Sequence, residues 1–388
     1  MNIQDYFTQE RWSEMKSFAD RHQTPFVLID LERVKHKFLE LQTCFPMAKI
    51  YYAVKANPAV EIIRILNSLG SHFDIASIYE LERVLSIGVT PDRVSFGNTI
   101  KKARDVKTFY ERGVRLFATD SEQDLRTIAC EAPGSKIYVR VITEGGETSD
   151  WPLSRKFGCH TDKAVDLLLL SRELGLEPYG VSFHVGSQQR DIGVWDGALS
   201  KVHSIFTRMT QEGIHLKMVN LGGGFPAQYL DETHPIKTYA QEILRFLQDD
   251  FADQMPEIIF EPGRSLVGEA GVLITEVVLV SKKAKNDLNR WVFTDVGKFS
   301  GMIETLGEAI KYPLHVERQP EPLEDIGPVI IAGPTCDSMD ILYEAHQYEL
   351  PYNLQPQDRL YWFATGAYTT SYSSVEFNGF PPLKAYYI

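Results

Sequence analysis

The chain has 388 residues, 44% of them hydrophobic, and a net charge of −12. That length and apolar content suffice for a large core and two domains, and the acidity argues against a nucleic-acid or anionic-membrane partner. The four cysteines (Cys44, Cys130, Cys159, Cys336) are scattered without a CxxC pair, which points to a reducing compartment and away from structural zinc or a disulfide framework.

Met1-Asn2-Ile3-Gln4-Asp5-Tyr6-Phe7 lacks a basic region followed by an apolar run, and no apolar stretch could span a bilayer, so a soluble, cytoplasmic protein is expected. Residues 1–25 are polar and helical in pattern, and a strand follows over 26–30. From Lys49 the pattern becomes regular. Strand-like runs fall near 50–54, 73–76, 93–96, 115–118, 136–142, 179–184, 217–221 and 257–260, with helical patterns over 59–69, 78–88, 101–112, 121–131, 161–174, 192–213 and 236–249. Eight strands alternating with helices predict an α/β fold, a (β/α)8 TIM barrel, with a doubly wound open sheet as the runner-up. After about residue 268 the chain turns β-rich with few helices, which predicts a second, all-β domain of sandwich or barrel type. The expected division is a barrel over 31–268 and a β domain from 1–30 and 269–388. Charged or proline-rich tips are expected over 281–290 and 317–325.

A barrel collects its chemistry at the C-terminal ends of its strands, and polar residues accumulate there. The first strand runs into Tyr51-Tyr52-Ala53-Val54-Lys55-Ala56-Asn57-Pro58. A desolvated lysine has a lowered pKa and can attack a carbonyl as the neutral amine; the bland alternative is a lysine reaching for water. The second strand carries Asp74, which is either catalytic or part of a helix cap. Glu80 lies in the next helix, where it could simply favour the dipole. Arg140 ends the fifth strand, as a site residue or a rim ion pair. His184 ends the sixth, where on its own it reads as a core histidine. Gly222-Gly223-Gly224 follows the seventh strand, a bare backbone whose N–H groups can wrap an anion. Glu261-Pro262-Gly263-Arg264-Ser265 follows the eighth. A phosphate cradle opposite a lysine suits pyridoxal phosphate, with Glu261 keeping the pyridine nitrogen protonated.

With Tyr52-Ala53-Val54-Lys55-Ala56-Asn57, Phe73-Asp74-Ile75-Ala76-Ser77, Phe183-His184-Val185-Gly186-Ser187, Leu221-Gly222-Gly223-Gly224-Phe225, Glu261-Pro262-Gly263-Arg264 and Gly333-Pro334-Thr335-Cys336-Asp337 in this order, the chain resembles the fold-type III pyridoxal-phosphate decarboxylases of basic amino acids. The bacterial ornithine and lysine/ornithine enzymes are the nearest in kind. The resemblance implies that Lys55 forms the internal aldimine, His184 stacks on the ring and Glu261 pairs with the ring nitrogen. Ser187, the Gly222, Gly223 and Gly224 amides, Gly263, Arg264 and Tyr368 would hold the phosphate, while Asp74, Glu80 and Arg140 line the site. It further implies a homodimer with shared active sites, in which Cys336 protonates the α-carbon in the partner's site. Asp337 would contact the distal ammonium of a small basic amino acid, with Phe377 also at the substrate. Lys156 matches the position that pairs with an acid, here Asp340. No metal is implied.

In this family a short helix supplies an acid that selects side-chain length. Here that segment reads Ile303-Glu304-Thr305-Leu306-Gly307-Glu308, so the position falls on Gly307, which opens the pocket toward lysine, or on Glu308, which holds a distal cation at a different reach. The expected reaction is decarboxylation of L-ornithine and/or L-lysine to putrescine and/or cadaverine. The alternatives are another amino acid (arginine, diaminopimelate or carboxynorspermidine), an alanine racemase, or a catalytically inactive regulatory homologue.

Overall fold

The computed structural model describes residues 3–144, 148–151, 156–252, 254–318 and 325–388. It divides into two compact units. One comprises Lys35–Pro226 and Thr233–Ser265; the other comprises Met1–Val34, Ala227–Glu232 and Leu266–Ile388.

The first unit is a closed barrel of eight parallel strands: β1 (Ala48–Ala53), β2 (His72–Ile75), β3 (Val94–Phe96), β4 (Leu116–Thr119), β5 (Lys136–Arg140), β6 (Glu177–Ser182), β7 (Met218–Asn220) and β8 (Glu257–Phe260). Closure is made by β8 against β1, with Ile258, Ile259 and Phe260 opposite Ala48, Lys49 and Ile50. That pairing excludes the open doubly wound sheet. The strands are short runs rich in Ile, Val, Phe and Tyr because both faces are buried, one by the interior and one by helices. Inside, Tyr51, Ala118, Tyr138, Tyr179, Met218 and Ile259 pack together, so the barrel is a filled core. Serines start two of the helices. Ser77 caps Ile78–Ser86 by accepting the Glu80 amide hydrogen, and Ser121 caps Glu122–Glu131 by accepting that of Asp124; each cap stabilises by about 1 kcal/mol. Helix Leu31–Cys44 was not expected, although Val34, Phe38 and Leu41 recur at helical spacing and are buried.

The second unit is built on the long strand Gly271–Ser281. Its first half pairs antiparallel with Phe26–Ile29 and with Arg359–Phe363; past an irregularity at Val277–Leu279 it pairs with Arg290–Thr294. The sheet continues through Ile326–Ala332 to Ile341–Pro351, and Lys384–Tyr387 lies parallel to Phe26–Ile29. The segment over 26–30 thus belongs with the C-terminal strands. The unit is not wholly β: helix Gln9–Ala19 sets Trp12 against Tyr361 and Phe363, with ring centroids 5.0 and 5.3 Å apart. Residues 319–324 of the expected loop over 317–325, and Ser154 and Arg155 ahead of Lys156, lie outside the described residues.

Among the described residues no helix is long and apolar enough to cross a membrane, and no group of three or more His, Cys, Asp and Glu side chains is placed to hold a metal.

Candidate active site

In the barrel unit the strand ends converge as alternation requires. Lys55 lies in the 3-10 turn Val54–Ala56 directly after β1, with an exposed side chain. Asp74 on β2 is buried, and its Oδ1 has no hydrogen-bond partner. Burial first, then the charge of Glu261, push the Asp74 carboxyl well above the usual carboxylate range, while Lys55 and Arg140 oppose the rise. Those interactions place Lys55, Arg140 and Glu261 within electrostatic reach of Asp74.

Glu80 takes up a structural role at the start of its helix. Its Oε2 accepts the Ala76 amide hydrogen at 2.7 Å, a side chain reaching back over the helix start. Burial raises its pKa, and that hydrogen bond and Lys55 work against the rise. Arg140 lies with its guanidinium 5.1 Å from the Phe157 ring centre.

His184 follows β6. Burial, then Arg140 and Lys55, lower its pKa well below the ordinary value, so the ring is neutral. Its Nδ1 faces the Gly223 N–H at 3.3 Å, which assigns the remaining ring proton to Nε2. The backbone of His184 is fixed by Thr143, whose hydroxyl donates to the His184 carbonyl at 2.8 Å.

The glycine triplet is required by close packing. A Cβ on Gly222, at φ +65°, would stand 2.3 Å from the Phe183 carbonyl oxygen, and one on Gly223 would stand 2.7 Å from the Glu261 oxygen. The expectation that all three amides face an anion needs correction. The Gly222 N–H donates to Asn220 Oδ1 at 2.9 Å in a buried bond and the Gly223 N–H to His184 Nδ1 at 3.3 Å, so an anion cradle there draws on the backbone beyond Gly223. Beside it Arg264 is buried, and its Nε donates to Ser187 Oγ at 3.1 Å; Gly263 lies in the buried turn just before it.

Asn220 is the residue that sequence reasoning missed. Its Nδ2 donates to Glu261 Oε1 while its Oδ1 takes the Gly222 N–H, so one buried amide aligns a carboxylate and the glycine loop together. The signal was an asparagine on an otherwise apolar buried strand, since such a side chain must find partners.

In the second unit Tyr368 has a left-handed backbone (φ +55°) and lies 5.6 Å from the Tyr372 ring. Cys336 is exposed on a turn organised by Asp340, whose carboxylate accepts the Lys298 N–H at 2.8 Å, the Thr335 N–H at 3.1 Å and the Thr335 hydroxyl at 2.6 Å. Asp340 is buried, and its carboxylate serves as the internal hub of the cysteine turn. Lys156 itself lies 5.0 Å from the Phe157 ring centre. Asp337 is exposed, and its Oδ1 accepts the Met339 N–H at 2.8 Å. Phe377 packs on Phe299 at 4.9 Å between ring centres.

Glu308 faces backbone N–H groups. Its Oε1 accepts the Glu344 and Ala345 N–H groups at 2.7 and 2.8 Å, and its Oε2 accepts that of His346 at 2.6 Å. With φ +56° its backbone turns the side chain onto the strand Ile341–Pro351, so this acid caps a strand irregularity and its carboxylate is tied to backbone. Gly307 before it has φ +63° and nothing within 4 Å of where a Cβ would be.

Residues 31–268 match the family model for the pyridoxal-binding domain of pyridoxal-dependent decarboxylases. The chain is 31% identical to the lysine/ornithine decarboxylase of Selenomonas ruminantium, over 95% of this chain and 90% of that one. It is 33% identical to a diaminopimelate decarboxylase of Helicobacter pylori, over 93% and 89%. The crystal structure of the Paramecium bursaria Chlorella virus arginine decarboxylase superposes with a TM-score of 0.89 at 28% identity, over 97% of this chain and 100% of that one.

Proposed function

Because the chain belongs to the pyridoxal-dependent decarboxylases and carries their pyridoxal-binding domain over residues 31–268, we propose that it decarboxylates L-ornithine and/or L-lysine, yielding putrescine and/or cadaverine for polyamine synthesis. The observation that carries the substrate choice is the pair Gly307–Glu308: the first is open and the second is tied to backbone. The length-selecting position is therefore roomy and uncharged, which favours admitting lysine beside ornithine. Asp337, exposed on the cysteine turn, supplies the negative charge for the distal ammonium.

The residues present suit the cofactor. The glycine loop has no room for side chains, Arg264 and Ser187 form a ready anion-binding pair, and Asp74 keeps an orphaned carboxylate oxygen near Lys55. Lys55 would hold the cofactor covalently, Glu261 would sit at its ring nitrogen, and the neutral His184 would lie against its ring. Ser187, Arg264, Tyr368 and the backbone of Gly224 and Gly263 would hold its phosphate. When bound, pyridoxal phosphate supplies an electron sink for the pair left on the α-carbon as carbon dioxide departs. Asp74, Glu80 and Arg140 set the charge around Lys55. Cys336 gives its thiol proton to that α-carbon, acting in the site of a second copy. Met339, Val375, Phe377 and Phe380 are exposed apolar side chains of the same unit as Cys336, a surface suited to cover by that second copy.

The test is an absorbance spectrum followed by carbon dioxide release from ornithine, lysine, arginine and diaminopimelate in parallel. Absorbance near roughly 420 nm, lost in Lys55→Ala, with release from lysine comparable to that from ornithine, is the expected outcome. Preference for arginine or diaminopimelate would overturn the substrate assignment. A bound cofactor without release from any of the four would leave the inactive regulatory homologue.

A further inference from the structure

We propose that Asn378 is a positioning residue for Cys336, fixing the cysteine through two hydrogen bonds to one amide oxygen. Asn378 Oδ1 accepts the Cys336 N–H at 3.1 Å and faces the Cys336 Sγ at 3.4 Å. The backbone N–H can only donate, so it fixes which end of the amide is presented. The thiol, facing the same oxygen, then has its proton directed there. This deepens the proposed function and rests on reading Cys336 as the proton donor.

The pair is held from both sides by one segment. Lys298 gives its N–H to Asp340 at 2.8 Å, and Asp340 braces the cysteine turn through Thr335. The neighbouring Phe299 carbonyl accepts both the Ser374 N–H and the Ser374 hydroxyl at 2.7 Å, and the Phe299 ring packs on Phe377. Asn378 itself is left-handed at φ +52°, inside a turn closed by the Gly379 N–H on the Glu376 carbonyl at 2.9 Å. Two exposed turns, tethered to adjacent residues 298 and 299, thus meet at the Cys336–Asn378 contact. Exposed turns are poor places for precision unless hydrogen bonds over-determine them, and here they do.

The chemistry suits a proton donor. A carbonyl oxygen facing the sulfur gives the S–H an acceptor and fixes the direction in which its proton points. The proton stays on sulfur until an acceptor stronger than an amide, a carbanion, comes within reach.

The experiment follows alkylation of Cys336 by iodoacetamide against pH in the holoenzyme. The Cys336 peptide is read by mass spectrometry, because Cys130 is exposed too. Removing the acceptor in Asn378→Ala should lower the midpoint of the reactivity curve, and a carboxylate in Asn378→Asp should raise it, each by roughly half a pH unit or more. In Asn378→Ala kcat should fall about tenfold with KM and the cofactor spectrum unchanged. A purely structural role would move both midpoints the same way; that result, or midpoints matching the wild type, overturns the proposal. Should Asn378→Ala fail to fold, Asn378→Leu replaces it as the acceptor-free variant. Full turnover by Cys336→Ala would instead overturn the proton-donor reading while leaving opposed midpoint shifts standing, so the two failures are told apart.

Discussion

The barrel mouth and the cysteine turn place polar groups by opposite means. At the mouth, Lys55, Asp74, Arg140, His184 and Glu261 are delivered by strand register: each follows or ends a buried strand whose neighbours fix its height. The cysteine turn has no such scaffold. Cys336 is exposed, and its place is set by side chains that accept backbone N–H groups, Asp340 from one side and Asn378 from the other. Register gives precision through many shared bonds, whereas a turn depends on a few bonds that can be removed one at a time.

Breaking the mouth should have the largest effect. Gly222→Ala drives a Cβ to within 2.3 Å of the Phe183 carbonyl oxygen at a positive φ, costing about 3 kcal/mol or more. A lowered Tm together with loss of bound cofactor is expected by calorimetry and absorbance; a variant that keeps both would mean the loop yields more easily than its packing implies. Breaking the turn should cost less and leave the cofactor alone. Asp340→Ala strands the Lys298 N–H, the Thr335 N–H and the Thr335 hydroxyl, roughly 2 kcal/mol. Turnover should fall while cofactor affinity, titrated by fluorescence, stays at the wild-type value. Equal loss of cofactor in both variants would erase the distinction between the regions.

The smallest effect sharpens the comparison with a group belonging to neither. Burial pushes the Asp295 carboxyl up to about 6, against hydrogen bonds from Thr24 and the Glu276 N–H. The unfolded chain ionises first, near the ordinary carboxylate value, so the stability this proton contributes is fully present below about pH 4 and is lost as pH rises through about 6. Asp295→Asn stays neutral. Its stability relative to wild type should therefore be level at pH 4 and rise by about 1–2 kcal/mol by pH 7 in denaturant titrations. A constant offset across that range would count against a buried, late-ionising Asp295.

The same contrast explains what could be read from the sequence. Strand ends at Lys55, Asp74, His184 and Glu261 were legible because hydrophobic periodicity marks strands and strands fix their ends. The glycine triplet was legible too, though the commitment of its first amide to Asn220 was not. Asn220 and Asn378 act through partners 41 and 42 positions away, and no local pattern carries such a pairing. The orientation of Glu308 was hidden for a related reason: a left-handed backbone aims its side chain at the N–H groups of residues 344–346.

That clamp has an evolutionary consequence. Because Glu308 anchors the turn, Gly307 contributes no contact that another residue would have to replace. Its left-handed backbone still filters the replacements, since among L-residues mainly Asn and Asp enter that region cheaply. Aspartate is therefore the charged residue that this position admits at little structural cost. A lineage carrying this turn can exchange vacancy for negative charge there without first acquiring a stabilising change elsewhere.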